Sequence, residues 1–140
     1  MNTRKLSQSF SISEQITPDD ISELYEKGFR SIINFRPDNE QEEQPASMQL
    51  EAIAKNYAME YHHIPVSMGK FSETAQMYFS KVVSECATPA LGFCKTGKRA
   101  ALVWTAHNYH LLGQDYVRSA VSTAGVSLDE FWETIEKFNS

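Results

Sequence analysis

The stretch Ala90-Leu91-Gly92-Phe93-Cys94-Lys95-Thr96-Gly97-Lys98-Arg99-Ala100 decides the reading of this chain. Ala90 to Phe93 is a short apolar run of strand character, and Ala100 to Leu112 reads as a helix that ends at Gly113. A strand that hands over to a helix through a polar, glycine-containing turn brings backbone N–H groups together at the helix N-terminus, where anions are favoured. Gly97 lets the backbone bend or come close without a side chain, and Lys95, Lys98 and Arg99 add positive field. A cysteine at this point is expected to favour the thiolate, which is a nucleophile. Cys94, the loop residues Lys95 to Ala100 and Arg99 are therefore the leading site candidates.

Outward from the loop, strands and helices alternate. Phe10, Ile12 and Ile16 suggest a first strand with alternating faces. Thr17-Pro18-Asp19-Asp20 reads as a helix start with Thr17 as cap, and that helix runs over 17–27 to a C-cap at Gly28. Phe29 to Phe35 is a buried strand ended by Arg36-Pro37-Asp38-Asn39, and Ala46 to Tyr57 is helical. Met59 to Val66 is a strand, and Ser72 to Cys86 is an amphipathic helix with Ala75, Tyr78, Phe79, Val82 and Val83 inward. Asp115 to Ala124 and Ser127 to Phe138 close the chain as helices, the second with a Ser127/Glu130 capping box. The alternation predicts a single α/β domain over 1–140. It is a three-layer sandwich, with a short, mostly parallel sheet of four to five strands flanked by helices.

The chain has 140 residues, enough for one core without disulfides or metals. Thirteen Lys and Arg against eighteen Asp and Glu give a net charge of -5, the wrong sign for a protein that tracks a phosphate backbone, so no nucleic-acid partner is expected. Polar Ser7, Gln8, Ser9 and Ser11 interrupt what would be an apolar leader, and no apolar run has spanning length; the expected location is the cytoplasm, with no membrane partner. Two cysteines, Cys86 and Cys94, do not make a disulfide framework; Cys86 is expected as a packed thiol. His62 and His63 are neighbours on a strand and suit packing or hydrogen bonding. His107 and His110, three apart on a helix, lack a third ligand, so neither a metal nor another cofactor is expected.

Three segments together resemble the phosphatase-like domain family of beta-lactamase-hydrolase-like proteins, relatives of the dual-specificity phosphatases. They are Ser31-Ile32-Ile33-Asn34-Phe35-Arg36-Pro37-Asp38-Asn39-Glu40, His62-His63-Ile64-Pro65-Val66 and Phe93-Cys94-Lys95-Thr96-Gly97-Lys98-Arg99. The resemblance covers nearly the whole chain and implies a cysteine-phosphatase-like fold with Cys94 at the base of a phosphate-binding loop. Such an enzyme acts on a phosphorylated small molecule or phosphoprotein through a phosphocysteine.

The loop departs from the cysteine-phosphatase signature. Four residues rather than five separate Cys94 from Arg99, Ala100 stands where the clamping arginine falls, and Phe93 replaces the usual histidine. A loop this short is similar to that of rhodaneses, so the alternative is a sulfurtransferase that carries a persulfide on Cys94 between a sulfur donor and an acceptor. A third reading is a phosphate-binding module without turnover. The leaving oxygen of a phosphomonoester needs a proton donor. Val66 to Phe71 contains no Asp, which leaves Asp38 and Glu73 as candidates, with Arg36 supporting Asp38 or clamping an anion.

Overall fold

A computed structural model describes all residues from Met1 to Ser140. Its sheet has five strands in the order β1-β2-β5-β3-β4: β1 (Arg4–Lys5), β2 (Phe10–Ser13), β3 (Ser31–Asn34), β4 (Glu60–His63) and β5 (Ala90–Phe93). Phe10, Ser31 and Ala90 start their strands in register, and Ile12, Gly92, Ile33 and His62 lie in one row across the four parallel strands. β1 is the exception, an antiparallel edge on β2 made by the turn at Ser7–Ser9. It has no apolar run, which is why periodicity does not reveal it.

Side chains alternate across the sheet with period two. Ile32, Leu91 and Phe93 point to the face covered by α1 (Asp20–Glu26) and α2 (Ser47–Asn56). Ile12, Ile33, Ala90 and Cys94 point to the face covered by α3 (Glu73–Glu85), α4 (Lys98–Asn108), α5 (Gln114–Thr123) and α6 (Trp132–Phe138). The three central strands are buried on both faces, as a parallel sheet between helix layers requires. Gly92 has no side chain because a Cβ there would lie 2.6 Å from the Phe10 ring and 2.9 Å from that of Phe35.

Several element boundaries differ from the sequence reading. α1 begins at Asp20, and the Asp20 carboxylate accepts the Thr17 N–H at 2.8 Å, so Asp20 rather than Thr17 supplies the side-chain contact at this end. Ile16 lies beyond β2, and all of β2 is buried instead of alternating. Ser72 caps α3 as expected by accepting the Ala75 N–H at 3.1 Å, but Gln76 joins the buried stripe and Tyr78 is exposed. The Ser127/Glu130 capping box does not form. α6 starts at Trp132, and the Glu130 carboxylate accepts Lys98 Nζ at 2.9 Å instead. No helix is long and apolar enough to cross a membrane.

Candidate active site

The carboxyl ends of β2, β3, β4 and β5 meet on one side of the sheet, and the chain leaves them through Gln15, Arg36, Val66 and Cys94 respectively. That end of a parallel sheet is where loops converge on a ligand. α4 begins at Lys98, two residues earlier than the sequence reading, because Gly97 adopts φ +100° and turns the chain directly into the helix. Only Lys95 to Gly97 is loop; Lys98, Arg99 and Ala100 form the first helical turn.

Cys94 is fully buried, and its Sγ accepts the Gly97 N–H at 3.1 Å. The loop carbonyls point elsewhere: Lys95 C=O accepts the Gln15 N–H at 3.2 Å, and Thr96 C=O accepts Arg4 Nη2 at 2.8 Å. In a trans peptide the N–H lies opposite the C=O, so outward carbonyls turn the Thr96 and Gly97 N–H groups inward. The same two carbonyls would be the helical acceptors for Arg99 and Ala100, whose N–H groups are left as open donors at the N-terminus of α4.

Arg99 is buried and meets Glu40 through two bonds, Nη1 to Oε2 at 2.7 Å and Nη2 to Oε1 at 3.0 Å, while Nη1 also donates to Val66 C=O at 2.9 Å. Three of the five guanidinium N–H groups are thereby used. The remaining Nε–H and second Nη2–H share one edge of the fork and have no partner in the protein. Arg36, also fully buried, donates to Glu40 Oε1 at 2.8 Å, to Gln15 Oε1 at 2.9 Å and to Gln41 Oε1 at 3.0 Å. The Arg99 hydrogen bond is the main cause holding the Glu40 carboxyl below the ordinary carboxylate range. Its burial opposes this and Arg36 reinforces it. Arg36 thus supports Glu40, not Asp38.

Asp38 is exposed at the exit of β3, with Oδ1 accepting the N–H of Ser47, the first residue of α2, at 2.8 Å. Glu73 is exposed at the start of α3. Beside the loop lies a cavity of about 600 Å³ whose wall includes Lys70, Lys95, Lys98, Arg99, Glu130 and Phe131. Lys98 is paired with Glu130; Lys70 and Lys95 carry no ion pair. Glu40 and Arg4 were missed by sequence reasoning. The spacing of Arg36 and Glu40 suggests no contact outside a helix, and Arg4 reads as part of a charged terminus.

The remaining candidates have structural surroundings. His63 Nε2 donates to Arg36 C=O at 2.8 Å and His62 lies 3.3 Å from Glu60; His110 Nε2 donates to Asn139 C=O at 2.7 Å, and His107 sits edge-on to the Phe79 ring. Burial raises the Cys86 thiol above its ordinary range. Cys86 precedes β5 and Cys94 follows it; the four-residue strand spans about 13 Å. Disulfide bonding needs Cα atoms within about 7 Å, so the two thiols do not pair in this fold.

The model of the beta-lactamase hydrolase-like protein phosphatase-like domain matches residues 2–110, and the chain belongs to that family. A beta-lactamase hydrolase-like protein of Agrobacterium fabrum is 33% identical over 104 residues, which is 74% of this chain and 24% of that protein. The chain thus spans about a quarter of the length of the curated relatives it matches. The crystal structure of a candidate phosphatase from Neisseria meningitidis superposes with a TM-score of 0.84 at 28% identity, covering 96% of both chains. The core catalytic domain of the PP-IP phosphatase of S. cerevisiae has a TM-score of 0.60 at 16% identity over 99% of this chain and 93% of its own, a likeness of fold. The fold is that of the cysteine and protein tyrosine phosphatases.

Proposed function

We propose that this member of the phosphatase-like domain family hydrolyses a phosphomonoester through Cys94. The observation that carries the reading is the orientation of the loop: its Lys95 and Thr96 carbonyls accept the Gln15 N–H and Arg4 Nη2, and on the opposite side of the Thr96–Gly97 peptide the Gly97 N–H reaches Cys94 Sγ. The Cys94 thiolate attacks phosphorus, an S–P bond forms and the ester P–O bond breaks. The loop N–H groups and the open edge of Arg99 take up charge on the equatorial oxygens. Leaving-group protonation falls to Asp38, whose second carboxyl oxygen makes no hydrogen bond and which stands at the loop end of the sheet. Water then attacks phosphorus, the S–P bond breaks and inorganic phosphate leaves. The substrate is a phosphorylated small molecule or phosphoprotein, recognised at the lysine-lined cavity.

The short Cys94–Arg99 spacing favours a second reading, sulfur transfer through a Cys94 persulfide, because the smaller cradle suits a smaller anion. One experiment separates the two. Wild type and Cys94→Ser are incubated with a phosphomonoester panel and, separately, with thiosulfate. Intact mass is then read alongside phosphate release and, after cyanide is added, thiocyanate. Phosphate release that requires Cys94, with no added sulfur, supports the hydrolase. A gain of one sulfur on Cys94 with thiocyanate formed replaces it with the sulfurtransferase. Tight binding of phosphate with neither reaction reduces the chain to a binding module.

A further inference from the structure

We infer that Arg4 is a positioning residue for the nucleophile loop, an inference that rests on the proposed role of Cys94. The Thr96 carbonyl and the Gly97 N–H belong to one planar peptide unit and point in opposite directions. Arg4 Nη2 holds the carbonyl at 2.8 Å, and on the other side the Gly97 N–H reaches Cys94 Sγ at 3.1 Å. Arg4 therefore orients the donor that sits on the sulfur without touching the sulfur itself. Its second arm fixes the fork: Nη1 donates at 3.0 Å to the carbonyl of Ala124, the C-cap of α5. Carbonyls at a helix C-terminus lack helical partners and favour a cation.

Two further observations fit this role. A Cβ on Gly97 would overlap Arg4 Nη2, so the glycine is needed for the guanidinium to lie against the loop as well as for its φ. Unlike Arg36 and Arg99, which share Glu40, Arg4 pairs with no carboxylate, and its charge stays un-neutralised behind the anion cradle. The two-residue strand β1 delivers it there, since Arg4 pairs with Ile12 near the carboxyl end of β2. A lysine has a single ammonium and cannot repeat the forked contact with Thr96 and Ala124.

The test compares wild type, Arg4→Ala and Arg4→Lys by the Gly97 amide resonance and its hydrogen exchange, and by turnover of p-nitrophenyl phosphate with and without guanidinium ion. We expect the Gly97 amide to shift and lose protection in both variants. In Arg4→Ala kcat falls about tenfold, the cost of one charge-assisted contact, with KM nearly unchanged, and guanidinium restores part of it. Should Arg4→Ala fail to fold, Arg4→Lys carries the same readouts. A wild-type Gly97 resonance in a folded variant overturns the inference, as does a loss of turnover that guanidinium leaves untouched in a folded Arg4→Ala protein. If wild type turns over no phosphomonoester, the phosphatase reading falls, and the Gly97 resonance still decides the place of Arg4.

Discussion

Arg99 and Glu40 meet edge to edge, Nη1 at 2.7 Å from Oε2 and Nη2 at 3.0 Å from Oε1, although they lie 59 positions apart in the chain. The pairing leaves the other edge of the guanidinium without a protein partner, so Glu40 fixes which edge of Arg99 stays open. It also compensates two buried positive charges, because Arg36 uses the same carboxylate.

Glu40→Gln removes that compensation. Breaking a buried charge pair is costly because the partner charge is left alone. Here Glu40 is partly solvated, and a loss of about 2 kcal/mol in urea unfolding is expected, together with a rise in KM as Arg99 loses its aim.

The same carboxylate predicts a pH dependence. Its folded pKa lies below the ordinary value of 4.5, so its contribution is complete above that value and is lost as pH falls through the lowered one. Urea midpoints of wild type and Glu40→Gln should therefore differ most at neutral pH and converge on acidification; a gap that stays constant down to pH about 2 refutes the assignment.

Gly97→Ala places a Cβ at φ +100° and against Arg4. A non-glycine residue in such a conformation costs about 1–3 kcal/mol. The expected result is a folded, less stable protein that no longer binds inorganic phosphate by calorimetry. Wild-type phosphate affinity in this variant contradicts the cradle geometry.

Asp38→Asn separates an acid from a helix contact. As proton donor, Asp38 matters for alkyl phosphates and little for aryl phosphates with acidic phenols, so kcat on the former should fall about a hundredfold while the latter are spared. Wild-type activity on both would assign Asp38 to the start of α2 alone, a contact the Asn side-chain oxygen can keep with the Ser47 N–H.

Glu130→Gln frees Lys98 at the wall of the cavity. KM for anionic substrates should fall about two- to threefold at low salt, and the gain should vanish at 0.5 M salt, where exposed charges are screened. A KM insensitive to the substitution at both salt concentrations removes Lys98 from substrate attraction.

The order of the main strands and helices and the place of Cys94 were legible because β5 and α4 are largely apolar runs on either side of a polar turn. Gly97 was legible for the reason the structure gives, a backbone that must bend and approach closely. Glu40 and Arg4 were not, since their partners lie 59 and 92 residues away and only tertiary pairing brings them to the loop. The Ser127/Glu130 capping box was also misread: the local pattern is present, but Glu130 pairs with Lys98, which is distant in the chain.

The two faces of the sheet are unequally thick: 24 buried residues form the cluster on the α3–α6 side, against 11 under α1 and α2. The thinner side has less apolar area to lose and should open at lower free energy, so its amides exchange first. Cys94 belongs to the thicker side, whereas the segment bearing Glu40 leads into α2. Local breathing would thus slacken the Glu40 grip on Arg99 while the Cys94 thiol stays covered, so guanidinium and sulfur answer to different layers of the fold.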